Sequence, residues 1–402
     1  MAVQPHDPKG GEFARGWPVV LVAATGTGLG IAGLLTYTAG IFAKDLGPAI
    51  GLTRTALGLA FFLSTVMLAV AMPVVGRLVD RRGPRGVAVV GSLALSVGFL
   101  ALGTVVRSSG GFIATMALIG LFAAGSAPVG YTRAVNAWFD RSRGLALGLT
   151  QLGIGLAGTI MPPVVALVVT ASGWRTGYLV LSVVALVGVV PALALPAAGT
   201  DRSAVTSAVD GPPTDGRLFV ALLLAFGAMA LSFAGLLPHF VPMLRDAGMS
   251  GPDAGFVAAL VGVSVIVSRV VVGWLADRIS APRIAAACCL LCAVGCAALA
   301  WQGVALAWAG AVALGSAMGA EADLIGYLTV RYFGIARYGR LYALQYASFM
   351  LMAGLSPLWI GVVADRSGSY APPLVIAACG LVVAAILFMR LPSPPPSPRA
   401  SA

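Results

Sequence analysis

Apolar runs long enough to cross a bilayer recur along the whole chain, and this feature leaves few folds open to it. They fall at residues 17–43, 55–76, 85–106, 111–137, 144–170 and 177–195, and again at 218–243, 255–275, 284–301, 304–330, 341–363 and 372–391. About 20 such residues span the hydrocarbon as a helix. Lipid offers no partner to a free backbone N–H or C=O, so only helices and closed barrels cross it, and runs of this length suit helices. The expected fold is therefore an all-α membrane protein with twelve transmembrane helices. Of the 402 residues 59% are hydrophobic and 10% charged, with mean hydropathy +0.96. Soluble domains carry about a quarter charged residues, which excludes a soluble globular domain, a disordered chain and a nucleic-acid binder.

The runs group as six, a break, and six more. Residues 196–217 lose hydrophobicity and gain turn formers, which predicts a linker between bundles at 17–195 and 218–391. Residues 1–16 are too polar for a cleaved signal peptide, and the proline-rich 392–402 is expected to be disordered. With residue 1 placed in the cytoplasm, seventeen Lys and Arg fall in cytoplasmic segments and six (Lys44, Arg54, Arg107, Arg175, Arg245, Arg366) in outer ones. That asymmetry orients both termini to the cytoplasm, accounts for the net charge of +11, and predicts a multi-pass protein of the cell's inner membrane. Arg133 and Arg269 alone among the basic residues lie within spans.

The halves repeat one another. GRLVDRRGPR at 76–85 returns as GWLADRISAPR at 273–283, an offset of 197. WFDRSRG at 138–144 returns as YFGIARYG at 332–339, offset by 194, and Gly173 matches Gly368 at 195. Three landmarks at nearly one offset indicate parallel six-helix repeats. GTGLG at 26–30 has no preceding strand and sits within an apolar helix, so it reads as close helix packing, not a phosphate loop. Pro162 and Pro163 are expected to bend the fifth span.

In each long repeat a glycine (Gly76, Gly273) stands four residues before an aspartate (Asp80, Asp277) and a cationic turn beginning with Arg81 or Arg278. The glycine admits a neighbouring helix, the aspartate can cap or pair with a helix end, and the arginines hold the loop at one membrane face. The pair of motifs, with six-plus-six organisation over residues 17–391, resembles the major facilitator superfamily. That resemblance implies two bundles rocking about a central site, with these loops latching one state. WFDRSRGLALG, the RYFG and YGRLY segments, and an arginine in span eight resemble the monocarboxylate porter and oxalate/formate antiporter branch. There the span-eight arginine clamps a substrate carboxylate; here it is Arg269. The branch's span-one lysine has no counterpart deep in residues 17–43, and residues 341–363 hold no lysine, so the resemblance implies a single carboxylate and not oxalate.

Arg269 lies eight residues before Asp277, about 12 Å into the membrane, where a lone charge costs at least about 3 kcal/mol. It must therefore face a cavity or a partner. Glu321 and Asp323 are the acids deep within spans, about 15 and 12 Å from Arg331. Two residues apart means 200° on a helix, so one is expected to line the pathway as a proton carrier while the other meets a neighbouring helix; pairing with Arg269 or Arg133 is the structural alternative. His239, about 9 Å inside Arg245, is a further proton-coupling candidate or a satisfied helix histidine. Tyr342, Gln345, Tyr346 and Phe349 form one stripe whose polar tips suit substrate contact or packing, with Tyr37, Tyr131, Gln151 and Tyr327 as further substrate-contact candidates.

Cys288, Cys292 and Cys296 share one helix face without a nearby His or acid and read as small packing residues. No metal or cofactor is expected. The sequence offers no HExxH motif, Walker loop or other catalytic constellation, so an enzyme is not expected. The expected function is a secondary active transporter that moves a small organic anion, a monocarboxylate, by alternating access with proton symport, working as a monomer in the lipid bilayer. The alternative is an exporter of a hydrophobic metabolite or drug by proton antiport.

Overall fold

The computed structural model describes residues 12–139, 143–195, 216–276, 278–333 and 338–392. Most of the expected linker, both extreme tails and Asp277 lie outside the described residues, as do the side chains of Asp80 and Asp323. The described residues are helical throughout: α1 (Glu12–Gly28), α2 (Ile31–Thr38), α3 (Ala43–Ile50), α4 (Arg54–Arg82), α5 (Pro84–Thr104), α6 (Ser109–Phe122), α7 (Pro128–Trp138), α8 (Arg143–Val187), α9 (Val189–Ala194), α10 (Gly216–Phe233), α11 (Leu236–Asp246), α12 (Gly251–Ala276), α13 (Ala281–Gln302), α14 (Ala307–Phe333), α15 (Tyr338–Ser367) and α16 (Ala371–Met389). They make ten stretches long and apolar enough to cross a membrane.

Two of these stretches, Leu145–Ala194 and Ala281–Phe333, run to 50 and 53 residues, far beyond the ~20 that one crossing needs. Each is interrupted by a glycine at positive φ, Gly173 (+81°) in the first and Gly303 (+55°) in the second. The left-handed region admits glycine at little cost, so these are the points where the chain turns back. The break within α8 falls at Gly173, where φ/ψ leave the helical region, between the apolar runs at 144–170 and 177–195. The surface around the bundle carries exposed Val90, Val97, Leu118, Val183 and Val294. Exposed Trp17, Trp138 and Trp274 stand near one end, with Trp301 and Trp308 near the other. An apolar girdle between tryptophan belts is the surface of a protein solvated by lipid.

Helices before and after residues 196–215 pair in the same order. α1 packs along the first part of α8, α4 along α6, and α5 along the second part of α8. The same relations hold between α10 and α15, α12 and α14, and α13 and α16. Glycine lets the backbones touch. A Cβ at Gly28 would meet the Gly153 carbonyl oxygen at 2.5 Å, and one at Gly153 would meet that of Ala24 at 1.8 Å. The 26–30 segment is thus a packing surface, as its apolar setting predicts.

At two helix breaks inside the apolar zone, a serine from a distant part of the chain satisfies the freed backbone. Between α1 and α2 the Ile31 N–H donates to Ser126 Oγ at 3.1 Å. Between α10 and α11 the Gly235 N–H donates to Ser356 Oγ at 2.8 Å, and Ser356 donates in turn to the Leu231 carbonyl at 2.7 Å. Trp359 Nε1 donates to the same carbonyl. Hydrocarbon would leave these groups orphaned otherwise.

The first and second halves of the chain meet at the end remote from residues 12 and 392. A Cβ at Gly58 (α4) would lie 2.2 Å from the Pro357 oxygen (α15), and one at Gly361 would lie 2.3 Å from that of Arg54. Gly262 (α12) approaches the backbone of Gly158 and Thr159 (α8), and Gly40 approaches Pro238. Towards the terminal end these contacts cease: a Cβ at Gly76, Gly148 or Gly273 would meet nothing within 4 Å. In this conformation no helix among the described residues rests on the glycines of the two repeated loops, contrary to the close neighbour their size suggests. The halves are sealed at the far end and parted at the terminal end.

Two outcomes follow from this packing. Gly58→Val places a branched side chain against the α15 backbone, so spin labels at Arg107 and Ser369 should separate by several Å relative to the parent protein; unchanged distances would show that the seal does not depend on this approach. Ser356→Ala orphans the Gly235 N–H and should cost about 1–3 kcal/mol, measurable as a lowered midpoint in thermal unfolding in detergent.

Candidate functional site

Arg269 sits on α12 below the last close contact between the halves, where Gly155 meets Ile266, and so on the open side of the seal. A small-residue seam positions its neighbour: a Cβ at Gly315 or Gly319 of α14 would lie 2.4 or 2.6 Å from the Val261 or Val265 carbonyl oxygen of α12. Glu321 follows Gly319 by two residues and is partly buried, with Oε2 enclosed by protein. From the second half, α15 adds Tyr346. From the first half, α2 adds Tyr37, whose ring lies against Gly158 with ring carbons 2.6 Å from where a Cβ would stand.

The charges of Arg269 and Glu321 both act on the hydroxyls of Tyr37 and Tyr346. One cation, one acid and two phenols, drawn from α12, α14, α15 and α2, therefore share one electrostatic neighbourhood between the halves. Such a group can hold a small anion by a forked guanidinium, donate to it from two phenol O–H groups, and keep a proton on a carboxyl within the same field.

The α15 stripe divides. Tyr346 retains 38% exposure though it lies about 12 Å along its helix, and it stacks on Tyr342 with ring centroids 5.7 Å apart. Gln345 is 1% exposed and turned to α10, where Nε2 donates to the Leu222 carbonyl at 3.1 Å. Phe349 is 2% exposed. Spacing alone puts these four on one face, but packing of α10 against α15 covers one edge of it.

Other candidates lie apart from the cluster. The Tyr131 ring packs on Gly26 in a separate apolar cluster with Val20, Val135 and Phe139. Tyr327 donates to the Ala276 carbonyl at 2.8 Å and lies under the Arg331 guanidinium, 5.5 Å from the ring centroid. Gln151 on α8 has a buried Oε1 with no hydrogen-bond partner in the structure. His239 is 1% exposed; its Nδ1 meets Tyr370 Oη at 3.0 Å and its Nε2 donates to the Pro357 carbonyl at 2.9 Å. The charges that reach it are those of Asp365 and Arg54 at the far end. Cys289, Cys292 and Cys296 are buried packing residues, and among the described residues no group of three or more His, Cys, Asp or Glu could hold a metal.

Sequence reasoning missed the charges that fasten the far end. Asp365 of α15 accepts from the Arg54 and Thr55 N–H groups at 3.2 and 2.7 Å, capping the first turn of α4 from the other half of the chain, where a negative charge is favoured. Arg54 Nη2 donates to Asp246 at 2.6 Å and its guanidinium lies 5.0 Å from the Tyr370 ring centroid. Arg245 pairs with Asp45, and Lys44 reaches Asp246 at 3.8 Å. Asp45, Asp246 and Asp365 each lie close in sequence to a basic residue at the far end; that alternation is the only signal the sequence carries for the latch.

The family whose model matches this chain is the Major Facilitator Superfamily, over residues 20–240 and 218–402. Among its relatives, monocarboxylate transporter 11 of Mus musculus is 27% identical over 99% of this chain and 91% of its own length. Monocarboxylate transporter 13 of Bos taurus is 26% identical over 98% and 92%. The crystal structure of a D-xylose-proton symporter superposes with a TM-score of 0.75 at 15% identity, covering 94% of this chain and 98% of that one.

The exposure difference along α15 is directly measurable. A cysteine at Tyr346 should react with a membrane-impermeant thiol reagent supplied from the terminal side, at least tenfold faster than one at Gln345. Equal rates would mean that α15 presents a different face to the opening.

Proposed function

The chain belongs to the Major Facilitator Superfamily, and on that premise we propose that it is a secondary active transporter moving a small monocarboxylate together with a proton by alternating access. The observation that carries this reading is the shared field of Arg269 and Glu321 over Tyr37 and Tyr346, because it joins an anion clamp to a proton-holding group between the halves. The likeness to monocarboxylate transporters over nearly the whole chain supports the same substrate class.

The chain crosses the inner membrane twelve times as two six-helix bundles, the two overlong apolar stretches each supplying two crossings. With both termini cytoplasmic, the conformation described is the inward-facing one. Substrate enters with its carboxylate on the Arg269 fork, while Tyr37 and Tyr346 donate to it. Glu321 carries the coupled proton, or Asp323 does. A carboxylate on Arg269 and a proton on the acid leave the loaded site without net charge, which lowers the electrostatic barrier to closing it within hydrocarbon. The far-end latch then opens while the loops at Gly76–Asp80–Arg81 and Gly273–Asp277–Arg278 close on their neighbours. No second copy is needed for this cycle, and the working unit is the monomer.

Proteoliposomes test the assignment. Arg269→Lys keeps the charge but loses the planar fork, so monocarboxylate binding should weaken at least tenfold. Glu321→Gln should lose uptake driven by a pH gradient while keeping counterflow exchange, which needs no net proton movement. Full uptake by Arg269→Ala would overturn the anion site, and export of lipophilic cations by the parent protein would assign it instead as a drug exporter.

A further inference from the structure

On the opposite side of α12 from Arg269 a groove of about 430 Å³ opens towards the membrane between α12 and α13. It exists because these two helices each pack along α14 and hardly touch one another. Val267 and Val271 line one wall and Leu291 the other, all exposed, with Val312 and Ser316 of α14 as the floor. The hydroxyls of Ser268 and Ser316 donate internally, to the Ser316 and Val312 carbonyls at 2.7 Å each, so these walls ask nothing polar of an occupant. The lining runs from Val263 to Leu275 along α12, about 18 Å, which covers one leaflet of a ~30 Å hydrocarbon core.

The end nearest the chain termini has a different chemistry. Arg283 is part of the groove lining, is exposed, and makes no salt bridge among the described residues. Arg278, next to the lining residue Ile279, lies 3.9 Å from the Trp274 ring centroid and donates to the Trp274 carbonyl at 3.2 Å. Trp274 is itself one of the exposed residues of the tryptophan belt. An apolar slot a leaflet deep, ending at membrane-interface height in two exposed guanidinium groups, matches one partner: a lipid with a long acyl chain and a phosphate-bearing head of net negative charge.

We propose that this groove is a binding site for an anionic phospholipid, one acyl chain lying between α12 and α13 and the headgroup phosphate on Arg283, with Arg278 beside it. Because α12 carries Arg269 on its other face, an occupied groove braces the helix that holds the substrate-site cation, although the site itself needs only the membrane setting of the chain.

Native mass spectrometry of the full chain, extracted from bilayers of equal phosphatidylglycerol and phosphatidylcholine, tests this. The parent protein should retain one phosphatidylglycerol in at least fivefold preference over phosphatidylcholine. Arg283→Ala should lose the preference and Arg283→Lys should keep most of it. Val267→Trp, which fills the groove from a lipid-facing position, should lose the bound lipid of either kind, while its thermal midpoint reports that it is folded. Equal retention of the two lipids by the parent, or an unchanged preference in Arg283→Ala, would overturn the proposal. A dimer in the parent that Val267→Trp dissolves would overturn it too, by giving the groove to a second copy of the chain.

Discussion

Helices in hydrocarbon gain nothing by hiding apolar surface from one another, since lipid tails are as apolar as leucine; they hold together where their backbones come close enough for dispersion and for hydrogen bonds across the gap. Everything else in this protein depends on that constraint. It explains glycines at nearly every helix crossing, and it explains why the two halves bring their backbones together at Gly58, Gly361, Gly262 and Gly40. It also sets the site. The seam of Gly315 and Gly319 against α12 brings Glu321 into the neighbourhood of Arg269, and Gly158 gives the Tyr37 ring room between α8 and the cluster.

The same absence of water makes polar groups exacting. Ser126 and Ser356 close the two helix breaks, and His239 spends both ring nitrogens on Tyr370 and Pro357. Charges near the far end behave differently. Lys44, Asp45, Arg54, Arg245, Asp246 and Asp365 are each between 18% and 44% exposed, and pairs so placed contribute about 0–1 kcal/mol apiece, less in salt. Apposed backbones therefore supply most of the seal's strength, and the ion pairs choose its register. A closure built this way can be undone without abandoning a deeply buried charge.

How much of this could be read from residues alone follows from the physics. Crossing segments and the parallel repeat were legible because hydropathy and an offset near 195 are properties of the string. Arg269 and Glu321 were legible because an ion at that depth needs a reason. The break between the runs ending at 170 and starting at 177 was legible too, but the positive φ at Gly173 that makes the turn was not. Nor was the splitting of Tyr342, Gln345, Tyr346 and Phe349: spacing defines a face, but which edge α10 covers is decided by a contact between helices far apart in sequence. Ser126 and Ser356 look like any other small residues until the broken backbone opposite them is seen.

Glycine at a helix crossing has a property that no other residue there shares: nothing smaller can replace it. Every amino-acid change at Gly58, Gly262 or Gly361 adds atoms on the side facing the partner backbone, so random variation at these positions can loosen the far-end closure but cannot tighten it. The terminal-end glycines Gly76, Gly148 and Gly273 face open space in this state, and larger residues there leave the present conformation untouched while obstructing the opposite one wherever they meet a neighbour. The two ends of the molecule thus carry opposite mutational biases, and a lineage under relaxed selection would drift along an axis set by which end its glycines happen to lose first.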